Sequence, residues 1–377
     1  MDAPEVEAFR AEVRAWLAAH LPTDLDPLAW NRLLAEHGWT CVGWPVEHGG
    51  RGLSLAEQVV FHEEYARAGA PTRVNHLGEE LLGPTLIAFG TPAQRQRFLP
   101  PIRAVEELWC QGYSEPGAGS DLANVQTRAR IDGGDWVVDG QKVWTSHAHE
   151  ADWIFVLART EPGSQRHHGL SFLLVPLDQP GIEVRPIEQL TGGAEFNEVF
   201  LTGARTAVDL VVGEPGQGWA VAMGLLGFER GVSTLGQQVG FARELDGAVA
   251  RARANGALDD PVVRDRLAGL KVELDVMHSN ALRGLAAAEA GSGSDAAGGA
   301  ASIAKLVWAG WHRRLGEAAM EVAGRDGLVV GDGYAIDEWQ RLFLFSRADT
   351  IYGGSDEVQR NILAERVLGL PREPKGA

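Results

Sequence analysis

Apolar positions near the start of the chain recur at three- and four-residue intervals. Val6, Phe9, Val13 and Trp16–Leu17 fall on one face of a helix predicted over residues 4–20, with Pro4 suited to its first turn. The same periodicity predicts helices over Leu28–Gly38, Leu55–Gly69 and Leu77–Gly90, each closed by glycine, and Thr91–Pro92 caps another over Ala93–Leu99. Beyond residue 122 the period shortens. Val125–Ile131, Trp136–Val138, Gln141–Ser146, Trp153–Thr160, Leu170–Leu177 and Ile182–Ile187 read as strands. Asp132-Gly133-Gly134-Asp135, Asp139-Gly140, Glu161-Pro162-Gly163 and Pro180-Gly181 separate them as turns. From Gly216 helical periodicity returns over Trp219–Asn255, Pro261–Ala290, Ala300–Ala323, Asp337–Tyr352 and Ser355–Leu368, with Gly291–Gly299 as a small-residue linker. The pattern predicts an α+β multidomain chain: a helical domain over residues 1–109, a compact β-barrel or sandwich over 110–213, and an antiparallel helical bundle over 214–377.

Between the first helices and the strands lies Gln111–Leu122, with three glycines, one proline, two serines and two acids in twelve residues. Such a stretch specifies irregular backbone with exposed amides, which together with the Ser114 and Ser120 hydroxyls can surround an anionic or carbonyl-rich ligand. It is not a dinucleotide finger, because the third glycine of that motif is missing and no helix opens after it.

Composition narrows the possibilities. A chain of 377 residues, 45% hydrophobic and 23% charged, can bury a large core and hold two or three domains. Its net charge of -17 argues against nucleic acid or an anionic membrane surface as partner. Cys41 and Cys110 form neither a disulfide framework nor a thiolate metal site. With no apolar leader and no run long enough to span a membrane, the expected location is the cytoplasm. His147-Ala148-His149 and His167-His168 lack helical ligand spacing, and Trp308, Trp311 and Trp339 are expected to pack the bundle.

Four stretches in this order resemble the acyl-CoA dehydrogenase family, over about Val6 to Pro371. Tyr113-Ser114-Glu115-Pro116-Gly117-Ala118-Gly119-Ser120-Asp121 is similar to its first signature, and Gly140-Gln141-Lys142-Val143-Trp144-Thr145-Ser146 to its flavin-side strand. Phe228-Glu229-Arg230-Gly231 resembles a catalytic-helix segment of some members, and Ile351-Tyr352-Gly353-Gly354-Ser355-Asp356-Glu357-Val358-Gln359-Arg360 the C-terminal signature.

The resemblance implies a C-terminal four-helix bundle, FAD, and α,β-dehydrogenation of an acyl-CoA or acyl-carrier thioester. It implies electrons passed to an electron-transferring flavoprotein or other acceptor. Cofactor contacts would come from Gln111, Tyr113, Ser114, Gly119, Ser120, Trp144, Thr145, Ser146, Gly354, Ser355 and Glu357, with Trp144 beside the isoalloxazine and Ser146 facing flavin N5. Substrate contacts would come from Ser120, Arg230, Tyr352 and Gly353. The reaction needs a carboxylate to take an α-proton. Many members carry it directly after the C-terminal tyrosine, where this chain has Gly353, so the resemblance assigns the base to Glu229, as in the minority with a Glu-Arg pair on a bundle helix. Leu225, Leu226 and Phe228 are expected to desolvate it, and the Gly353 N–H to polarise the thioester carbonyl.

Two segments depart from the family. Arg253–Asp260 lacks the usual Arg-x-x-Phe-Gly, and the usual Gln-x-x-Gly-Gly turn reads Glu321-Val322-Ala323-Gly324-Arg325. Either Arg325 meets the FAD pyrophosphate within a homodimer or homotetramer, or the chain is one subunit of a heterotetramer with a related chain. The alternatives to a dehydrogenase are a flavin-dependent oxidase or oxygenase on the same fold and a non-catalytic partner subunit.

Overall fold

A computed structural model describes residues 3–21, 26–229, 233–289 and 294–372. The first region is helical: α1 (Ala3–His20), α2 (Pro27–Glu36), α3 (Leu55–Arg67), a π-turn (Leu77–Leu82) that runs into α4 (Gly83–Phe89), and α5 (Pro92–Arg103). The capping chemistry is explicit. Asp26 accepts from the Ala29 N–H ahead of Pro27, and Ser54 with Glu57 and Thr91 with Gln94 form reciprocal capping boxes. Phe9, Val13 and Leu17 pack against Trp30, Leu34, Trp39 and Phe61 in a core of their own. Arg10 and Arg14 of α1 reach the buried Glu63 and Glu64 of α3, and this arginine cluster holds Glu64 down to about 2 despite burial.

Eight strands follow: β1 (Trp109–Gly112), β2 (Arg128–Asp132), β3 (Asp135–Ser146), β4 (Trp153–Arg159), β5 (Leu170–Pro176), β6 (Ile182–Ile187), β7 (Phe196–Ala207) and β8 (Val211–Val212). They form one mixed sheet in the order β6-β7-β3-β2-β4-β5-β8, with β1 parallel to β4. β4 and β5 are almost wholly buried, and their apolar residues join those of the π-turn, α4 and α5 in the largest core.

Three details differ from the sequence reading. Asp139-Gly140 is not a turn: it lies inside β3, where the register against β7 shifts between Val138 and Asp139. A Cβ on Gly140 would stand 2.3 Å from the Thr127 hydroxyl, so glycine here serves close approach and not chain reversal. Strand β7 was not anticipated, because its polar and small residues blur the alternation. Gln111, read as loop, belongs to β1 and pairs with Phe155.

The last region holds α6 (Gly218–Glu229), α7 (Ser233–Ala254), α8 (Pro261–Glu289), α9 (Ser294–Ala323), α10 (Glu338–Phe345) and α11 (Asp356–Ile362). Trp311, Phe241, Leu245, Leu267, Leu274, Leu315, Trp339 and Leu342 fill the bundle core. The expected single helix over Trp219–Asn255 is described as α6 and α7, and residues 294–299 of the expected linker are the start of α9. α6 packs on the π-turn, and α3 packs on α7, so the first helical region and the bundle meet directly. No described helix is long and apolar enough to cross a membrane.

Candidate active site

The glycine-rich loop and the end of β3 are fastened together by one buried cation. Lys142 has no accessible side chain, and its Nζ donates to the Tyr113 carbonyl at 3.0 Å, Glu115 Oε1 at 2.8 Å and the Leu157 carbonyl at 2.8 Å. Glu115 also accepts from the Gln126 N–H at 2.6 Å and the Thr127 N–H at 2.9 Å. Burial works to raise the Glu115 carboxyl, but the Lys142 ammonium and these N–H donors hold it below the ordinary range. The Val143 N–H donates to the Ser114 carbonyl at 3.0 Å. Loop residues 113–115 are thus tied to β3. The clamp was invisible in the sequence because its partners lie 27 residues apart.

Immediately after the clamp β3 bulges. Between Lys142 and Thr145 it carries one residue more than β7 opposite, and Trp144 takes a φ of 59°, which bulky residues rarely adopt. The bulge turns the indole outward, 59% exposed, with Phe196 edge-on at 6.3 Å. Buried Asn197 secures the next residue by donating to the Thr145 carbonyl at 2.9 Å. The Thr145 hydroxyl is buried without a partner. Ser146 is half-buried at the strand end, Ser120 and Gly119 are exposed, and the space beside Gly117 and Gly119 is open.

A second group is held in the bundle. Ser355 caps α11 by accepting from the Val358 N–H, with Asp356 and Glu357 in the first turn. The Glu357 carboxyl is held below its ordinary range by the backbone N–H and the Ser355 hydroxyl, which gives it a helix-capping role. Gly353 and Gly354 have φ of 63° and 84°, so a side chain at 353 would be strained, and Gln359 Nε2 donates to the Gly353 carbonyl at 3.0 Å. Gln359 Oε1 and Asp356 Oδ1 are buried without partners.

The loop that carries Gly353 rests on a network the sequence did not announce. The Asp349 carboxylate accepts from Tyr352 Oη at 2.7 Å and pairs with His312 Nδ1 at 2.5 Å, while His312 Nε2 meets Glu244 at 2.9 Å. Lys305 donates to the Asp349 carbonyl and lies over the Trp308 and Tyr352 rings. Burial lowers the His312 pKa, but the two carboxylates outweigh it and raise it to about 9. A histidine raised above its unfolded value near ~6.5 adds stability that is fully present below that pH and is lost as pH rises through about 9. The shift corresponds to at most about 3 kcal/mol. Thermal melting of His312→Gln is expected to change less between pH ~6.5 and ~9 than that of the wild type.

The sheet-borne and bundle-borne groups are held by separate contacts. Glu229 ends α6, its side chain and all of Arg230 lying outside the described residues. Leu225 is buried, Leu226 half-buried and Phe228 40% exposed. Glu321 is engaged by Arg266 of α8, and Arg325 stands exposed in the turn Gly324–Leu328.

Comparison with known proteins agrees with this arrangement of regions. The N-terminal, middle and C-terminal domain models of acyl-CoA dehydrogenase match residues 3–106, 110–203 and 216–368. The chain belongs to the acyl-CoA dehydrogenase family. This acyl-CoA dehydrogenase is 61% identical over 392 aligned positions to the acyl-CoA dehydrogenase IpdE1 of Mycobacterium tuberculosis, covering 99% of this chain and 100% of that one. The Tcur3481-Tcur3483 steroid ACAD superposes with a TM-score of 0.87 at 31% identity, covering 99% of both chains. The ChsE4-ChsE5 complex from Mycobacterium tuberculosis does so at 0.83 and 29%, again covering 99% of both.

Acyl-CoA dehydrogenases are FAD-dependent flavoproteins, and the residues present fit that cofactor. The exposed Trp144 indole could cover a flat, largely apolar ring, and the accessible Ser146 and Ser120 hydroxyls could meet its polar edge.

Proposed function

We propose that the chain catalyses α,β-dehydrogenation of an acyl-CoA with a bulky, ring-bearing acyl group, working beside a second, related subunit. The observation that carries the reading is Trp144, held out of the sheet at a strained bulge with its indole exposed. FAD, when bound there, would supply the acceptor for the β-hydride. Within the chain, Trp144, Thr145, Ser146 and the loop from Gln111 to Ser120 hold the flavin, with Ser120 also on the pantetheine arm. Gly354, Ser355 and Glu357 form further cofactor contacts. Glu229, at the end of α6, takes the α-proton. The Gly353 N–H polarises the thioester carbonyl, and Arg230 and Tyr352 border the substrate. We assign the domains as residues 1–109, 110–213 and 214–377.

The ring-bearing acyl group is supported by the likeness to a steroid ACAD. The second subunit is supported by an exposed apolar patch of Leu190, Leu328, Val329, Val330 and Tyr334, flanked by Arg325, where Tyr334 Oη donates to the Leu190 carbonyl at 2.7 Å. Two of the similar structures are named as pairs of different chains.

The test is the visible spectrum of the purified protein, alone and with its co-purifying partner, before and after anaerobic addition of acyl-CoAs. A bound flavin band that bleaches with a competent acyl-CoA is expected. A chain that is colourless alone and yellow with a second subunit assigns the flavin site to the assembly, and a flavin that no acyl-CoA reduces removes the proposal.

A further inference from the structure

The end of β3 is held by more than the Asn197 bond to Thr145. Trp144 and His147, with φ of 59° and 55°, flank Thr145 and Ser146. Two left-handed residues so close together persist only where the surroundings over-determine the backbone. Those surroundings come from the start of β7. Asn197 is wholly buried, and its Nδ2 donates both to the Thr145 carbonyl at 2.9 Å and to the Glu195 carbonyl at 3.3 Å. The Glu195 carbonyl also accepts from the His147 N–H at 2.7 Å. One amide thus braces the Thr145–Ser146 pair from both sides.

The hydrogen bonds also settle which atom donates. Two carbonyls face one end of the Asn197 amide, so that end is the NH2 group, and Oδ1 at the other end is an acceptor. His149 Nδ1 lies 3.0 Å from Oδ1 and must therefore carry its hydrogen. The other ring nitrogen, Nε2, is 3.8 Å from Glu150 Oε1. The series Glu150, His149, Asn197, Thr145 runs from half-exposed side chains to a buried peptide. Among side chains of its size, only asparagine donates to two carbonyls while accepting from a third group. Leucine has the volume without either capacity.

We propose that Asn197, held by His149, is a positioning residue for the flavin: it sets the plane of the Thr145–Ser146 peptide, and so the direction in which Ser146 meets the polar edge of the cofactor. This rests on the flavin placement proposed above. The peptide unit is planar, so fixing the Thr145 carbonyl fixes the Ser146 N–H and the Ser146 Cα from which the hydroxyl departs. Because Asn197 is wholly buried, it acts through this peptide and not by touching a ligand.

The experiment uses the FAD-loaded protein, assembled with its partner subunit where FAD uptake requires one. Three quantities are read without substrate: the visible flavin spectrum, the FAD dissociation constant, and hydrogen exchange of the amides from Trp144 to His147. The variants are Asn197→Leu, His149→Leu, His149→Asn and Thr206→Val, with thermal melting to show that each is folded. Thr206 is the control, since it lies near the other end of β7 and donates from a buried hydroxyl to the Leu174 carbonyl at 2.5 Å. Asn197→Leu is expected to shift the flavin bands and weaken FAD binding by about 10-fold or more, because two carbonyls lose their donor. His149→Leu is expected to shift both readings less and in the same direction. His149→Asn, whose amide nitrogen replaces Nδ1, is expected to restore them. Thr206→Val is expected to lower the melting temperature while keeping the wild-type spectrum and FAD affinity. Unchanged flavin readings in Asn197→Leu overturn the proposal, as does a change no larger than that in Thr206→Val. If Asn197→Leu does not fold, the two His149 variants decide: loss in His149→Leu with recovery in His149→Asn upholds the proposal, and any other pattern overturns it. If the wild-type assembly takes up no FAD, the flavin reading fails. Exchange at the strand end then decides whether Asn197 positions it: faster exchange in Asn197→Leu with none in Thr206→Val upholds the positioning, and equal exchange overturns it.

Discussion

Lys142→Met is expected to destabilise the chain by about 3–5 kcal/mol and to release its flavin. The methionine fills similar space but leaves Glu115 buried without its cation and frees the Tyr113 and Leu157 carbonyls. Breaking one half of a buried pair costs more than the pair itself contributes, because the surviving charge is left in a low-dielectric site. Against a typical total of about 5–15 kcal/mol that is a large fraction. The loop from Tyr113 to Ser120 hangs from this clamp, so cofactor retention should fall with stability. Urea unfolding and the ratio of flavin to protein absorbance read the two effects separately. Lys142→Met combined with Glu115→Leu should recover part of the loss, since neither charge is then stranded. A Lys142→Met protein that is as stable as wild type and fully yellow would show that the clamp is not what orders the loop.

The second large effect concerns the base. Glu229→Gln is expected to slow flavin reduction by about 10²-fold or more with flavin still bound, because the amide has nearly the same shape but cannot take a proton. Glu357 is the rival carboxylate. It sits in the first turn of α11, fully exposed, where the helix N-terminus and Ser355 account for it. Stopped-flow reduction of both variants by a competent acyl-CoA separates them. Reduction at the wild-type rate in Glu229→Gln, together with loss in Glu357→Gln, moves the base to the C-terminal signature. Gly353→Glu is not expected to substitute for Glu229, since the backbone there has a φ of 63°.

The helices and most of the strands were legible from sequence for a common reason: each depends on neighbours a few positions away, whereas the candidate flavin residues came from the family resemblance. Thr91–Pro92 caps α5 and Ser355 caps α11 through N–H groups three residues on, and Asp132-Gly133-Gly134-Asp135 reverses the chain because both glycines take positive φ. The order of helices, strands and helices follows from local periodicity alone. What tertiary structure decided depends on groups far apart in the chain. Asp139-Gly140 looks like a turn until Thr127 is placed against it, and β7 acquires its register only from β3 and β6. Lys142 with Glu115, His312 between Asp349 and Glu244, and Arg73 with Glu79 are ordinary charged residues in a linear reading. They become a loop fastening, a support for Gly353 and a buried ion pair only when folding removes them from water and makes each depend on a partner.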